Sequence, residues 1–324
     1  MLYGKAYGPS NIAIIKYWGA RDQELNLPFN DSISITLGKE LSVRTSVEFS
    51  STFERDRLVI NRVEYPHAIV EKHVGRVLKV LRKKYGKKIY GKITSNSNFP
   101  VAAGLASSAA GISALVVATD AALDLGLDYS ELSKLARLGS GSACRSVFGG
   151  FVRWKKGKRE DGEDSFAEQL FDERYWPELI DIVAIISNVS KKISSAEGMK
   201  VSVDSSRLFN CRIKWVQSQV GPLIDIIRRK DFRSLFELSM KETDNMHAVI
   251  LDSGSELFYL NGTSLDLMKS IRNFRYAGYS FDAGPNAHIL TTTKYENKVK
   301  NLLGSMDINN IIVTRAGKGA HILE

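Results

Sequence analysis

The stretch Asn96–Gly111, NSNFPVAAGLASSAAG, places a Pro and a Gly-Leu-Ala-Ser-Ser turn directly before a run of small, helix-compatible residues. A glycine lets the backbone approach a ligand closely. The helix that follows starts with unpaired N–H groups and carries about half a positive charge. Together these features read as a phosphate cradle. Ser107 and Ser108 add hydroxyls that can bond a phosphate oxygen or a Mg2+ ion. A plain serine helix cap needs only one of them. No Gly-Lys-Ser/Thr closes the loop, so it is not a Walker A motif.

Three further segments bring reactive side chains together. In Asn11–Asp22, NIAIIKYWGARD, the strand-like Ile12–Ile15 delivers Lys16, Tyr17 and Trp18 in succession. A snorkelling lysine is the competing account, and the segment alone does not decide. In Gly139–Gly150, GSGSACRSVFGG, Ser140 and Ser142 supply hydroxyls. Arg145 supplies a guanidinium fork that can clamp a carboxylate or phosphate. In Phe281–Ala287, FDAGPNA, Asp282 stands at a strand end before Gly-Pro. Taken alone, that string is good turn chemistry.

The elements that must position these groups follow from periodicity. Alternating runs at 33–37, 41–49 and 57–63 predict strands. Apolar residues from Ile69 to Leu81 recur at helical spacing within His67–Tyr85. Lys92–Ser97 reads as a strand leading into the cradle, and Ser107–Leu125 as a buried helix rich in small residues. Tyr129–Leu138 reads as a helix with Ser130 near its cap, and strands are expected at 151–155 and 181–187. Helices dominate from Ser194 to about Phe274. Strands at 279–283, 288–292 and 311–314 then enclose a helix at 295–303. Strands and helices in both halves predict an α+β protein, divided near 185–190 into 1–187 and 188–324, with the site between the halves.

The bulk numbers fit a globular chain: 44% hydrophobic, 25% charged, and only 7 Pro in 324 residues. No signal-peptide core and no membrane-length apolar run is present, which predicts a cytoplasmic protein. Cys144 and Cys211 form no metal-binding pattern; Cys144 reads as packed, and a disulfide joining two copies through Cys211 stays an open alternative. The net charge of +9 favours an anionic partner, either nucleic acid or a small substrate carrying several phosphates. The basic run Lys79–Lys88, KVLRKKYGKK, lacks the Gly/aromatic pattern of an RNA-binding sheet and reads as a solvated helix face.

Taken together, NIAIIKYWG, FPVAAGLASSAAG, GSGSACRS and DAGPNA resemble the diphosphomevalonate decarboxylase family within the GHMP kinase superfamily. KKISSAEGM at Lys191–Met199 is similar to another family element, and the resemblance spans nearly the whole chain. It implies a GHMP-kinase-like two-domain fold: a ribosomal-S5-like N-terminal ATP-binding domain and a ferredoxin-like α/β C-terminal domain. It also implies ATP and Mg2+ as cofactors, a small phosphorylated mevalonate as substrate, no nucleic-acid or membrane partner, and a homodimer. The implied reaction phosphorylates the 3-hydroxyl, then expels phosphate and CO2 to leave an isopentenyl product.

The same resemblance assigns roles residue by residue. Asp282, Lys16 and Arg145 are the implied catalytic set: Asp282 at the 3-hydroxyl, Lys16 holding it ionised, Arg145 on the C1 carboxylate. Asn11, Tyr17, Ser140, Ser142, Ser194 and Met199 are implied to face the substrate with Arg145. Ala103, Gly104, Leu105, Ala106, Ser107 and Ser108 are implied to hold ATP, with Ser107 reaching the metal. Asn96 and Asn98 are candidates for the purine end by position alone. One departure stands out: many relatives read KYWGKRD where this chain has KYWGARD, so Ala20 removes a cation from the phosphate-tail end. Arg21 is placed to compensate. The alternatives are the same chemistry on mevalonate 5-phosphate, a 3-kinase without decarboxylation, and a nucleic-acid-binding protein. Retention of Lys16 and Asp282 argues against the kinase.

Overall fold

The computed structural model describes residues 2–86, 89–99, 107–189, 191–254 and 257–324. The strands, in chain order, are β1 (Leu2–Pro9), β2 (Asn11–Ile15), β3 (Ala20–Asp22), β4 (Leu27–Pro28), β5 (Ser32–Thr36), β6 (Ser42–Ser50), β7 (Arg57–Ile60), β8 (Val63–Glu64), β9 (Tyr90–Ser97), β10 (Phe151–Trp154), β11 (Ala167–Phe171), β12 (Leu179–Ala184), β13 (Ala277–Phe281), β14 (Ala287–Thr292), β15 (Ile311–Thr314) and β16 (His321–Ile322). The helices are α1 (His67–Val70), α2 (Arg76–Tyr85), α3 (Ser107–Leu123), α4 (Tyr129–Gly139), α5 (Ala143–Ser146), α6 (Ser195–Ser205), α7 (Phe209–Arg229), α8 (Phe232–Asp252), α9 (Gly262–Asn273) and α10 (Glu296–Ser305). The α+β class is what the chain adopts.

Strand order in the first sheet is β16-β1-β6-β9-β7-β8, and in the second β11-β10-β5-β2. The third runs β13-β14-β12-β15, and β3 pairs with β4 in a small ribbon. Helix α3 is apolar around most of its circumference and lies buried across β1 and β6. The close approach rests on Gly4 and Gly8, where a Cβ would collide with the carbonyls of Ala118 and Ala110. Helix α2 turns Val77, Leu78 and Leu81 inward and leaves Lys79, Lys83 and Lys84 on its exposed face, as expected of a solvated basic helix.

Local chemistry explains several boundaries. The strand expected over 57–63 stops at Ile60, because Asn61 and Arg62 take positive φ and turn the chain into β8. Helix α4 is capped by Asp128 in a capping box with Glu131, so Ser130 lies inside the first turn. Its carboxylate reaches the third backbone N–H, which a side chain two residues further along cannot. Cys144 is buried and Cys211 exposed, and both are free thiols.

The sheets do not divide where the chain does. Strand β12 precedes residue 187, yet it sits inside the third sheet between β14 and β15. The tail returns to the first sheet, with β16 on β1 and Ala316 bridged to Leu37. One apolar cluster, including Ile12, Ile33, Phe151, Val183, Val216, Leu235 and Leu290, runs through both halves. The site lies beside this shared core.

Candidate active site

Strand β2 builds one wall. Its pairing with β5 shifts register between Ala13 and Ile15, a bulge that releases the Ala13 carbonyl from the ladder. That carbonyl accepts from Lys16 Nζ at 2.9 Å. Lys16 Nζ also donates to Ser280 Oγ and to Asp282 Oδ1, each at 2.7 Å. An ammonium has three donors, and all three are taken. Lys16 is 2% exposed and therefore acts on a ligand through Asp282.

Ser280 and Asp282 come from the end of β13. Residues two apart share one face of a strand, which sets both oxygens toward Lys16. Burial pushes the Asp282 carboxyl toward the protonated form. The Lys16 charge and hydrogen bond, with help from His288 and Arg145, outweigh this and hold it below the ordinary carboxylate value. Its side chain is 30% exposed. With Oδ1 given to Lys16, Oδ2 is the oxygen left for a ligand.

Arg145 enters from α5 and is 3% exposed. It donates from Nη1 to Ser32 Oγ at 2.7 Å and from Nη2 to Asn11 Oδ1 at 3.0 Å. Its Nε has no partner among the described residues. Burial lowers its proton affinity, against the opposing pull of Cys144, Asp282 and Tyr17. Among the described residues no carboxylate forms an ion pair with it, so the cation suits an anionic ligand. Asn11 fixes this wall by donating to Ser142 O and Ser146 Oγ. Tyr17 lies edge-on to Trp154 at 4.8 Å, and a Cβ at Gly141 would meet its ring. Burial raises the Tyr17 hydroxyl well above its usual value and keeps it a proton donor.

The nucleotide end is carried by α3 and its surroundings. Ser107 opens α3, and Ser108 Oγ lies 3.3 Å from Ser140 Oγ at the end of α4. Ala103, Gly104, Leu105 and Ala106 lie outside the described residues. Among the described residues no three His, Cys, Asp or Glu side chains gather as a metal site. Hydroxyl oxygens are hard donors suited to Mg2+ that keeps most of its other ligands from phosphates and water, so these serines fit a Mg2+–nucleotide. Asn96 is exposed on β9. Asn98 spends its amide on Ser42 N and Lys39 O, bracing a turn. Ser194 caps α6 by accepting from Glu197 N, and Met199 packs against the apolar cluster that includes Trp18 and Tyr259.

Several residues at the site have no role assigned to them from the sequence. Lys191 donates to Ser195 Oγ at 2.6 Å and to Ala283 O at 3.2 Å, one residue beyond Asp282. Burial lowers its proton affinity, with Asp282 opposing. Glu242 Oε1 accepts from the Lys16 backbone N–H at 3.1 Å and from Arg212 Nη2 at 2.5 Å. That ion pair is fully buried. Lys191 opens the KKISSAEGM string and Ser280 stands two residues before Asp282, whereas Arg212 and Glu242 carry no signal in the sequence.

A family described as the diphosphomevalonate decarboxylase-like N-terminal domain matches residues 8–167, and the mevalonate 5-diphosphate decarboxylase C-terminal domain matches residues 181–311. A diphosphomevalonate decarboxylase of Debaryomyces hansenii is 43% identical over 91% of this chain and 80% of its own length. That of Saccharomyces cerevisiae is 41% identical over 90% and 78%. Among solved structures, the mevalonate diphosphate decarboxylase of Enterococcus faecalis superposes with a TM-score of 0.92 at 34% identity, covering 100% of this chain and 99% of that one. A structure described as MDDEF in complex with MVAPP, AMPPCP and magnesium gives 0.93 at 34% identity, with the same coverage.

Proposed function

Because the chain belongs to the diphosphomevalonate decarboxylase family, we propose that it converts mevalonate 5-diphosphate and ATP to isopentenyl diphosphate, ADP, phosphate and CO2. One observation carries the chemistry. An ionised Asp282 with one oxygen held by Lys16 and the other open lies within electrostatic reach of Arg145, a buried cation with no carboxylate ion pair among the described residues.

ATP with Mg2+ supplies the phosphoryl group that turns the tertiary 3-oxygen into a leaving group. Asp282 Oδ2 accepts the hydrogen bond of the 3-hydroxyl and takes its proton; such acid–base help is worth roughly 10²–10⁴ in rate. That proton passes on to solvent, to which Asp282 is partly open, and the re-ionised carboxylate then faces the positive charge that develops at C3. Arg145 holds the C1 carboxylate, aligned so that the carbon–carbon bond can break as the tertiary C–O bond leaves. Asn11 holds Arg145 in place, and Tyr17, Ser140, Ser142, Ser194 and Met199 line the substrate side. Ser107, Ser108 and the preceding Ala103, Gly104, Leu105 and Ala106 hold the nucleotide phosphates, with Ser107 toward Mg2+ and Asn96 toward the purine. Lys191 adds a cation beside Asp282. Two anionic ligands meeting here explain why the wall is basic.

The division into residues 1–187 and 188–324 belongs to the same reading, with β12 and the tail from Arg315 crossing it. So do a homodimer and a cytoplasmic setting. No helix of the described residues is long and apolar enough to cross a membrane. Leu208 and Leu251, adjoining at the start of α7 and the end of α8, are exposed apolar side chains that a second copy could cover.

The test compares ATP-dependent CO2 release from mevalonate 5-diphosphate and from mevalonate 5-phosphate. The reading predicts a large preference for the diphosphate, with Arg21, anchored on Lys156 O and Arg159 O, standing in for the cation missing at Ala20. A preference for the monophosphate overturns the substrate assignment. Salt-sensitive nucleic-acid binding without turnover overturns the enzyme reading.

A further inference from the structure

The ladder between β2 and β5 ends at Ile15 and Ile33, so Lys16 stands one residue beyond the last sheet pairing. Its two main-chain groups are held by side chains instead. The N–H donates to Glu242 Oε1 at 3.1 Å, and the carbonyl accepts from Asn30 Nδ2 at 3.2 Å. Glu242 and Asn30 are both fully buried. Helices α7 and α8 pack against β2 and carry the rest of the hold. Arg212 on α7 donates from Nη2 to Glu242 Oε1 at 2.5 Å and from Nη1 to Asn245 Oδ1 at 2.7 Å.

The geometry of the ion pair shows what it serves. A guanidinium and a carboxylate built only to bind each other meet as two parallel bonds. Here Oε1 receives both Arg212 and the Lys16 N–H, while Glu242 Oε2 and Arg212 Nε have no partner among the described residues. The carboxylate is turned toward the lysine main chain at the expense of the fork. A buried ion pair is in any case a weak source of stability compared with apolar packing of the same volume.

We propose that Glu242, oriented by Arg212, and Asn30 are positioning residues for Lys16, fixing its main chain so that its ammonium lies on Asp282. The proposal rests on the reading in which the Lys16–Asp282 pair acts on the substrate. All three donors of the ammonium are taken, by Ala13 O, Ser280 Oγ and Asp282 Oδ1. That arrangement survives only if the lysine backbone stays in place.

Two double variants of the full-length protein separate positioning from mere structure. Arg212→Met/Glu242→Met and Arg212→Met/Glu242→Gln both remove the ion pair, and only the second keeps an oxygen for the Lys16 N–H. Apolar replacement of a buried pair is often neutral in stability, so the first should fold. It should lose roughly 10-fold or more in kcat with KM for ATP within about 2-fold, as a misplaced reacting group would. The second should stay within about 3-fold of wild-type kcat.

The titration of Asp282 supplies a readout that a structural role would not move. Lys16 from β2, Arg145 from α5, His288 on β14, His247 on α8 and Lys191 before α6 all act on that carboxyl. Neither variant changes any of these side chains, so a shift reports the place of Lys16. Carbon NMR of the Asp282 carboxyl, which needs no turnover, should show the titration at higher pH in the first variant and unmoved in the second. Wild-type kcat or an unmoved titration in the first variant overturns the proposal. So do equal losses in both. Asn30→Ala leaves the ion pair intact and decides the matter if the first variant does not fold. A 3- to 10-fold loss in kcat with the same upward titration supports the proposal, and wild-type behaviour overturns it. Wild-type CO2 release, measured in parallel, reports separately on the family-based reading.

Discussion

Lys16 and Asp282, 266 positions apart in sequence, meet at 2.7 Å as a saturated ammonium and a half-open carboxylate. The lysine has no hydrogen left for a ligand, because the Ala13 carbonyl and Ser280 take its other two. Its influence on the reaction passes through the carboxylate.

Asp282→Asn keeps the shape of the site and removes the base. Turnover should fall by about 10²–10⁴ while ATP affinity stays at the wild-type level. Titration of a fluorescent ATP analogue alongside kcat checks both. A variant with near wild-type kcat would refute the role.

Lys16→Met leaves Asp282 with burial as the dominant influence, so its proton affinity should rise. In the wild type the folded carboxyl lies below 3.8. The stability this provides is complete above that value and is lost as pH falls through the folded pKa. In the variant the sign reverses, and Asp282 holds its proton above 3.8. The acid limb of the kcat profile should move to higher pH, together with a lower plateau.

Arg145→Lys retains the charge and loses the planar fork. One charge-assisted hydrogen bond is worth about 1.5–3 kcal/mol, so kcat/KM for the mevalonate substrate should drop by roughly 10- to 100-fold. KM for ATP should change little. Steady-state kinetics with each substrate varied in turn separates the two.

Arg212→Met strands Glu242, a fully buried carboxylate that also receives the Lys16 backbone N–H. Removing one partner of such a pair costs about 3–5 kcal/mol. Urea unfolding should report a loss of that size. Arg212→Met combined with Glu242→Gln should recover part of it.

His247 is neutral in the native protein down to about pH 4, whereas the unfolded ring binds a proton below 6.5. Stability rises with pH wherever the unfolded state binds more protons. Between about pH 6.5 and 4 this one group should therefore cost on the order of 3 kcal/mol as the solution is acidified. His247→Asn should flatten that part of the stability profile by a comparable amount.

Much of this was legible in the sequence where the signal is local. The period of apolar residues gave the core helices and strands to within a few positions. Asn11, Lys16, Arg145 and Asp282 came from short strings whose residue types suit anionic ligands, and the structure brings these four together. What was not legible depends on long-range pairing. Nothing near Leu179–Ala184 says that this strand joins β14 and β15, nor that His321–Ile322 returns to β1. Arg212, Glu242 and His247 sit in ordinary helical patterns. Their burial beside Lys16 appears only when α7 and α8 pack against β2 and β13. Ser130 does stand near the cap of α4, but the capping side chain is that of Asp128, two residues earlier.

The central claim is that one site couples phosphoryl transfer to carbon–carbon cleavage. The most direct test follows ADP and CO2 together in a single reaction with ATP, Mg2+ and mevalonate 5-diphosphate labelled at C1. Equal amounts of the two products at every time point are the predicted result. ADP released without labelled CO2 would contradict it: the Lys16–Asp282 pair would then support phosphorylation alone.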